Sequence, residues 1–301
     1  MKTEIKVHMV EWFNDHWYKL DVEKEVNADM KGIDANLETE TLYFPSVTTK
    51  LGVIAKPFLA HWRGDLGNRE ADLRQFEASQ RGVRIHHAWY VMTTGGVIVY
   101  QPFQRPNYSQ SDIDTMESEN MGNLAVVRYQ DEMYDLHKLS RWLKAVNPEI
   151  RGSEIINYSI PNKDAGTLDN LFFIKEGDYL INGAKPLHLP EGLYVADLKT
   201  GKVVDDDAFM QTACYAKNIQ EMGFGDPIGT LILHTGSAVR TAIEGLSTLY
   251  RSKEQMEQDY LDYRLAAALW DRKNANAKPK IFEFPALLTY QKENENDKKP
   301  E

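Results

Sequence analysis

Cysteine is almost absent from this chain: Cys214 is the only one in 301 residues. One thiol excludes an intrachain disulfide framework and any four-cysteine zinc or iron–sulfur centre. No apolar run approaches the ~18 residues of a membrane-spanning helix. The opening Met1-Lys2-Thr3-Glu4-Ile5 lacks the apolar segment of a secretory leader. The expectation is a soluble, cytoplasmic protein with no membrane partner. Positive charge is in short supply, since 35 Lys and Arg face 45 Asp and Glu for a net charge of -10. That argues against coating nucleic acid by bulk charge. It argues less against a site where carboxylates gather around a cation, because the cation offsets them. Several catalytic signatures are missing too. Around Lys199-Thr200-Gly201-Lys202 the phosphate-loop pattern fails at Ala196 and Val203, and neither H-E-x-x-H nor G-x-S-x-G occurs. No nucleotide cofactor, zinc hydrolase or serine hydrolase chemistry is supported.

What is present is enough apolar residue, 42%, for a sizeable core. The patterning predicts an α/β fold. A central mixed β-sheet holds strands near 153–160, 168–175, 192–199 and 229–234, flanked by helices on both faces. Residues 1–45 read as a strand and loop extension, with a strand or hairpin over 4–20 and a polar loop over 21–40. Leu42-Tyr43-Phe44 forms a short strand ending at Pro45, and Ser46 caps a helix that starts near Val47. Residues 46–150 are mainly helical, an N-terminal elaboration with a polar insertion near 91–127. Residues 151–272 form the core, with helices over 205–222 and 251–272. Residues 273–301 make a tail with an edge strand at Phe282-Glu283-Phe284 and a charged, disordered end.

The chain is organised around residues 166–201. Gly166-Thr167-Leu168-Asp169 leads into the apolar run Leu171-Phe172-Phe173-Ile174, and a second run ends in Asp197-Leu198-Lys199-Thr200-Gly201. Strand side chains alternate faces, so Asp197 and Lys199 share one side while Tyr194, Ala196 and Leu198 share the other. If the two strands pair, Asp169 comes beside Asp197. Two carboxylates and an ammonium suit a hard divalent cation and a phosphate oxygen, with magnesium or manganese as the cation. Taken singly, each motif reads more simply as turn chemistry or a solvated strand edge. The combination carries the expectation.

Here the residues resemble a known family. Gly166 to Asp169 as G-x-x-D, Asp197 to Thr200 as D-x-K-T, and Gln211 to Tyr215 as Q-x-x-x-Y look like the core of the RecB-like branch of the PD-(D/E)XK nucleases. Upstream, Gly82-Val83-Arg84-Ile85-His86 matches that branch's G-x-x-x-H. The stretch from Phe44-Pro45-Ser46 to Gly52 is similar to the opening of phage-type exonucleases. The resemblance covers about residues 40 to 235. It implies a restriction-endonuclease-like core and Mg2+- or Mn2+-dependent DNA hydrolysis, with an exonuclease of phage replication, recombination or repair as the expected member. The absence of a cysteine quartet would make it a member without an iron–sulfur cluster.

The resemblance also implies roles. Asp169, Asp197 and Lys199 are the catalytic residues, and His86 joins Asp169 and Asp197 as a metal ligand. Gln211 and Tyr215, one helical turn apart, touch the DNA backbone or the metal surroundings, and Glu154, Thr200 and Ser46 support the site. The plainer alternatives are a surface glutamine, a packing tyrosine and an ordinary histidine. Arg63, Arg69, Arg74, Arg81 and Arg84 read equally as a solvated helix face or as a phosphate-contacting surface. DNA is the expected partner, with a homo-oligomer or a phage recombination or helicase partner beside it. The rival reading is a catalytically inactive nucleic-acid-binding or structural subunit.

Overall fold

The computed structural model describes residues 4–12, 15–26, 36–181, 185–236 and 245–279. The chain opens with an antiparallel meander, β1 (Glu4–Trp12), β2 (Asp15–Val26) and β3 (Asn36–Pro45). Ser46 then caps α1 (Val47–Leu51), its hydroxyl accepting from the Thr49 amide at 3.0 Å. Pro57 starts α2 (Pro57–Leu66), where its missing N–H costs nothing. Next come α3 (Asn68–Thr93), β4 (Val97–Tyr100), α4 (Gln110–Glu119), β5 (Leu124–Val127) and α5 (Gln130–Val146). The second half holds β6 (Glu149–Ser159), β7 (Asp164–Ile174), β8 (Gly177–Tyr179), β9 (Leu187–Leu189) and β10 (Gly192–Lys199). It closes with α6 (Asp206–Glu221), β11 (Pro227–His234), β12 (Ser247–Ser252) and α7 (Lys253–Lys273).

The core is a five-stranded mixed sheet in the order β12-β11-β10-β7-β6. β10 and β11 run parallel with α6 as their crossover, and the other neighbours are antiparallel. One face takes α3 and α5, where Trp89, Leu139 and Trp142 pack on Phe172, Tyr194 and Leu198. The other takes α1, α6 and α7, where Val47, Ile219 and Met256 pack against Leu168, Leu171 and Val195. Each such side chain, fully buried, contributes roughly 1.5–3 kcal/mol. The meander leans on the β6–β7 hairpin through Tyr18, Leu20 and Phe44 against Ala165.

Three expectations need correction. The polar loop over 21–40 is strand at both ends, because Val22 is buried and its acidic neighbours keep the β2–β3 ladder. The insertion near 91–127 contains a regular helix, α4, nucleated by a capping box between Ser109 and Asp112. The sheet also gains a fifth strand, β12, at its edge. Phe282-Glu283-Phe284 and the charged tail lie outside the described residues.

Candidate metal centre

The site arises where two neighbouring strands part. β7 and β10 pair from Ile174↔Gly192 to Asn170↔Ala196, and the ladder stops there. The next residue of each strand is an aspartate, Asp169 on β7 and Asp197 on β10. In the gap the Leu198 amide donates to Asp169 Oδ2 at 2.6 Å, so the carboxylate supplies the acceptor that a continued ladder would have offered.

α3 crosses this gap from one face and α6 from the other. His86 of α3 brings Nδ1 to 3.0 Å from Asp169 Oδ1. Gly82, one turn earlier, passes over Thr200, whose hydroxyl would stand 3.5 Å from an added Cβ. The helix is fixed there by a buried relay. Trp89 Nε1 donates to Asn170 Oδ1, Asn170 Nδ2 donates to Ser153 Oγ at 2.8 Å, and Ser153 donates to Thr93 at 2.9 Å. Sequence reasoning assigned Trp89 no part in the site and missed this positioning role. Its spacing of three from His86 on one helix was the available signal.

From the opposite side, Gln211 of α6 accepts from Lys199 Nζ at 3.0 Å and donates Nε2 toward Tyr215 OH at 3.0 Å and Asp197 Oδ1 at 3.4 Å. Lys199 Nζ also lies 2.7 Å from Asp197 Oδ2 as an ion pair, without the alignment of a hydrogen bond. Gly166 lets the Tyr215 ring approach the strand, since a Cβ there would fall 2.2 Å from the ring. The sequence pairing of Gln211 with Tyr215 on one helix face therefore has a structural counterpart.

The ligand-type atoms of His86, Glu154 and Asp169 all lie within 4.8 Å of one another. Glu154 falls in register opposite Asp169, between the pairs Ser153↔Asn170 and Ile155↔Leu168. It does so with a positive φ of 51°. That conformation costs a glutamate roughly 1–3 kcal/mol and is the kind of strain that gathers at functional sites. Asp197 is not one of the three. It sits one step away, with Lys199 as its counter-charge. Two hard carboxylates and one imidazole, converging from β6, β7 and α3, form a donor set that fits manganese well and magnesium less closely.

Without an ion, His86 serves Asp169 as a counter-charge, and a bound cation would have to displace its proton. Burial opposes charge on His86, but the charge and hydrogen bond of Asp169 outweigh it and raise the imidazole to about 9. Burial also works against the Asp169 carboxylate, yet His86 and the Leu198 amide hold it below the ordinary range. Burial lifts Asp197 above that range, with Lys199 only partly opposing it. Glu154 is exposed as a residue, but its carboxyl end is crowded into the cluster. That desolvation, with the charge of Asp169, lifts it to about 7. Neighbouring carboxyl groups pushed apart in this way are a mark of functional sites.

Ser46 lies at the head of α1, bonded to Thr48 and Thr49, and its visible work is helix capping. Four of the five arginines are ion-paired: Arg63 to Asp72, Arg74 to Glu70, Arg81 to Asp131 and Asp135, and Arg84 to Glu132. The last two tie α3 to α5, which gives the structural reading of Arg81 and Arg84 a concrete basis. Beside Lys199 and Gln211 a cavity of about 330 Å3 opens toward Thr48 and Lys56. Among the described residues no helix is long and apolar enough to cross a membrane. No protein-family model and no curated protein matches the chain.

Proposed function

We propose that the protein is a metal-dependent nuclease that hydrolyses DNA phosphodiester bonds. The observation that carries this reading is the convergence of His86, Glu154 and Asp169 within 4.8 Å, at the strand gap that also places Asp197 and Lys199. The mixed sheet with helices on both faces suits a restriction-endonuclease-like core, and the ordered motifs from Gly82 to Tyr215 favour the RecB-like branch.

Bound Mg2+ or Mn2+ supplies a Lewis acid for a phosphoryl oxygen and lowers the pKa of a water. His86, Glu154 and Asp169 would hold the ion, with Asp197 beside them. The chain's own part is to position and to balance charge. Lys199, cationic and steered by Gln211, offsets charge that builds on the phosphate and orients the attacking water. Tyr215 holds Gln211 in place. Among such nucleases we favour an exonuclease serving replication, recombination or repair of phage type, with DNA as its partner.

The test is cleavage of end-labelled linear DNA, single- and double-stranded, in Mg2+, Mn2+ or EDTA. Metal-dependent loss of label is expected, and the surviving label reports polarity. DNA binding without cleavage in either metal would overturn the reading in favour of a binding subunit.

A further inference from the structure

A second cavity, about 890 Å3 and mostly apolar, adjoins the one beside Lys199 and shares Lys56, Val203, Asp205 and Asp207 with it. One wall is α2, a ten-residue helix with no buried residue. Phe58 is 73% exposed and Leu59 37%, and Trp62, half-buried, lines the same trough. An uncovered aromatic and aliphatic face marks a binding surface rather than a core helix. We propose that this trough receives the unpaired bases of the strand whose phosphate reaches Lys199, with Phe58 and Trp62 as stacking platforms.

The inference rests on the nuclease reading and names the part of the substrate that the site takes. Continuity argues for this occupant. A strand with one phosphate at Lys199 must lead its flanking nucleotides away along some path, and the shared edge at Lys56 opens into the trough. Charge argues for bases over phosphates on the floor. Asp205 and Asp207 face the cavity and are held by Lys56 at 3.7 and 2.5 Å, so the wall offers no surplus positive charge. Arg74 on the rim is already paired with Glu70 at 2.7 Å, and Lys202, which also lines the cavity, is the cation placed toward the backbone. Flat apolar side chains accept any base, because every base has a π-face. The trough therefore predicts tolerance of sequence and a preference for unpaired ends.

The test is binding of a fluorescent single-stranded oligonucleotide carrying 2-aminopurine, measured in EDTA so that cleavage plays no part. Phe58→Ala/Trp62→Ala should weaken binding about ten- to a hundredfold and abolish the 2-aminopurine quenching seen with wild type. Phe103→Ala, an aromatic exposed elsewhere, should bind as wild type does, and matching circular dichroism spectra establish that the double variant is folded. Unchanged affinity and quenching in the folded double variant would overturn the proposal. So would a wild-type dimer that this variant splits without loss of oligonucleotide binding, since the occupant would then be a second copy. Hydrolysis of a small chromogenic phosphodiester by wild type in Mn2+ reads the nuclease separately. Its absence beside intact, Phe58- and Trp62-dependent binding would sink the nuclease reading and leave the trough.

Discussion

Strand β7 carries two buried aspartates five residues apart, and they do opposite things. Asp164, fully buried, is enclosed by α1, α6 and α7. It accepts from Tyr263 OH at 2.9 Å and Asn218 Nδ2 at 3.3 Å, with Cys214 Sγ at 3.8 Å and Arg264 at 3.9 Å. Lys50, equally buried, offsets its charge and pairs with Asp271 at 3.2 Å. Asp169 has half its partners in common backbone chemistry, the Leu198 amide, and the other half in titratable groups at an opening. Burial lifts the pKa of Asp164, whereas His86 and the Leu198 amide bring that of Asp169 down. A buried carboxylate closed on all sides ties elements together. One placed where a ladder ends, beside a histidine and a second acid, is available to a ligand. The same environment that closes Asp164 also pushes the Cys214 thiol well up, which makes it inert as a nucleophile.

The comparison can be broken at either end. The largest effect is expected at the open end. Asp169→Ala should lower DNA cleavage by at least about a thousandfold in a steady-state assay, and should also cost about 1–3 kcal/mol in urea unfolding through the orphaned Leu198 amide. At the closed end, Asp164→Leu should cost about 3–5 kcal/mol in the same unfolding measurement, because Lys50, Tyr263 and Asn218 lose their shared partner. Its folded fraction should cleave as wild type does. Equal loss of turnover in the two variants would erase the distinction between the two ends.

Smaller changes sharpen it. Lys199→Met should reduce kcat about a hundredfold and, by taking the counter-charge from the buried Asp197, cost about 1–3 kcal/mol in the same unfolding measurement while the variant stays folded. Unfolding of that variant would reassign Lys199 to structure. Gly166→Ala sets a Cβ against the buried Tyr215 ring and should cost about 1–3 kcal/mol, with lower kcat as Gln211 loses its support. The smallest expected effect is on heat stability: Mn2+ should raise the melting midpoint of wild type and Asp164→Asn by a few degrees and leave Asp169→Asn unmoved.

Four of the five sheet strands, with α6 and α7, were legible because their patterns are simple. Strand alternation placed Asp197 and Lys199 on one side of β10, which the structure turns toward α6, and helical spacing joined Gln211 to Tyr215. The prominence of Glu154 was not legible. It depends on the irregular β6–β7 register between Ile150 and Gly152 and on a left-handed backbone at Glu154, neither of which a periodic pattern encodes. Nor could the sequence show that the β7–β10 ladder stops at Asn170↔Ala196, the break that makes room for the site. The roles of Arg81 and Arg84 were hidden for a related reason: their partners, Asp131, Asp135 and Glu132, lie on a helix some fifty residues away.

The most direct measurement compares the two aspartates under one condition. End-labelled DNA is incubated in Mn2+ with wild type, Asp164→Asn or Asp169→Asn, each at equal folded concentration. The account predicts cleavage by wild type and Asp164→Asn and none by Asp169→Asn. Cleavage that survives in Asp169→Asn would contradict it.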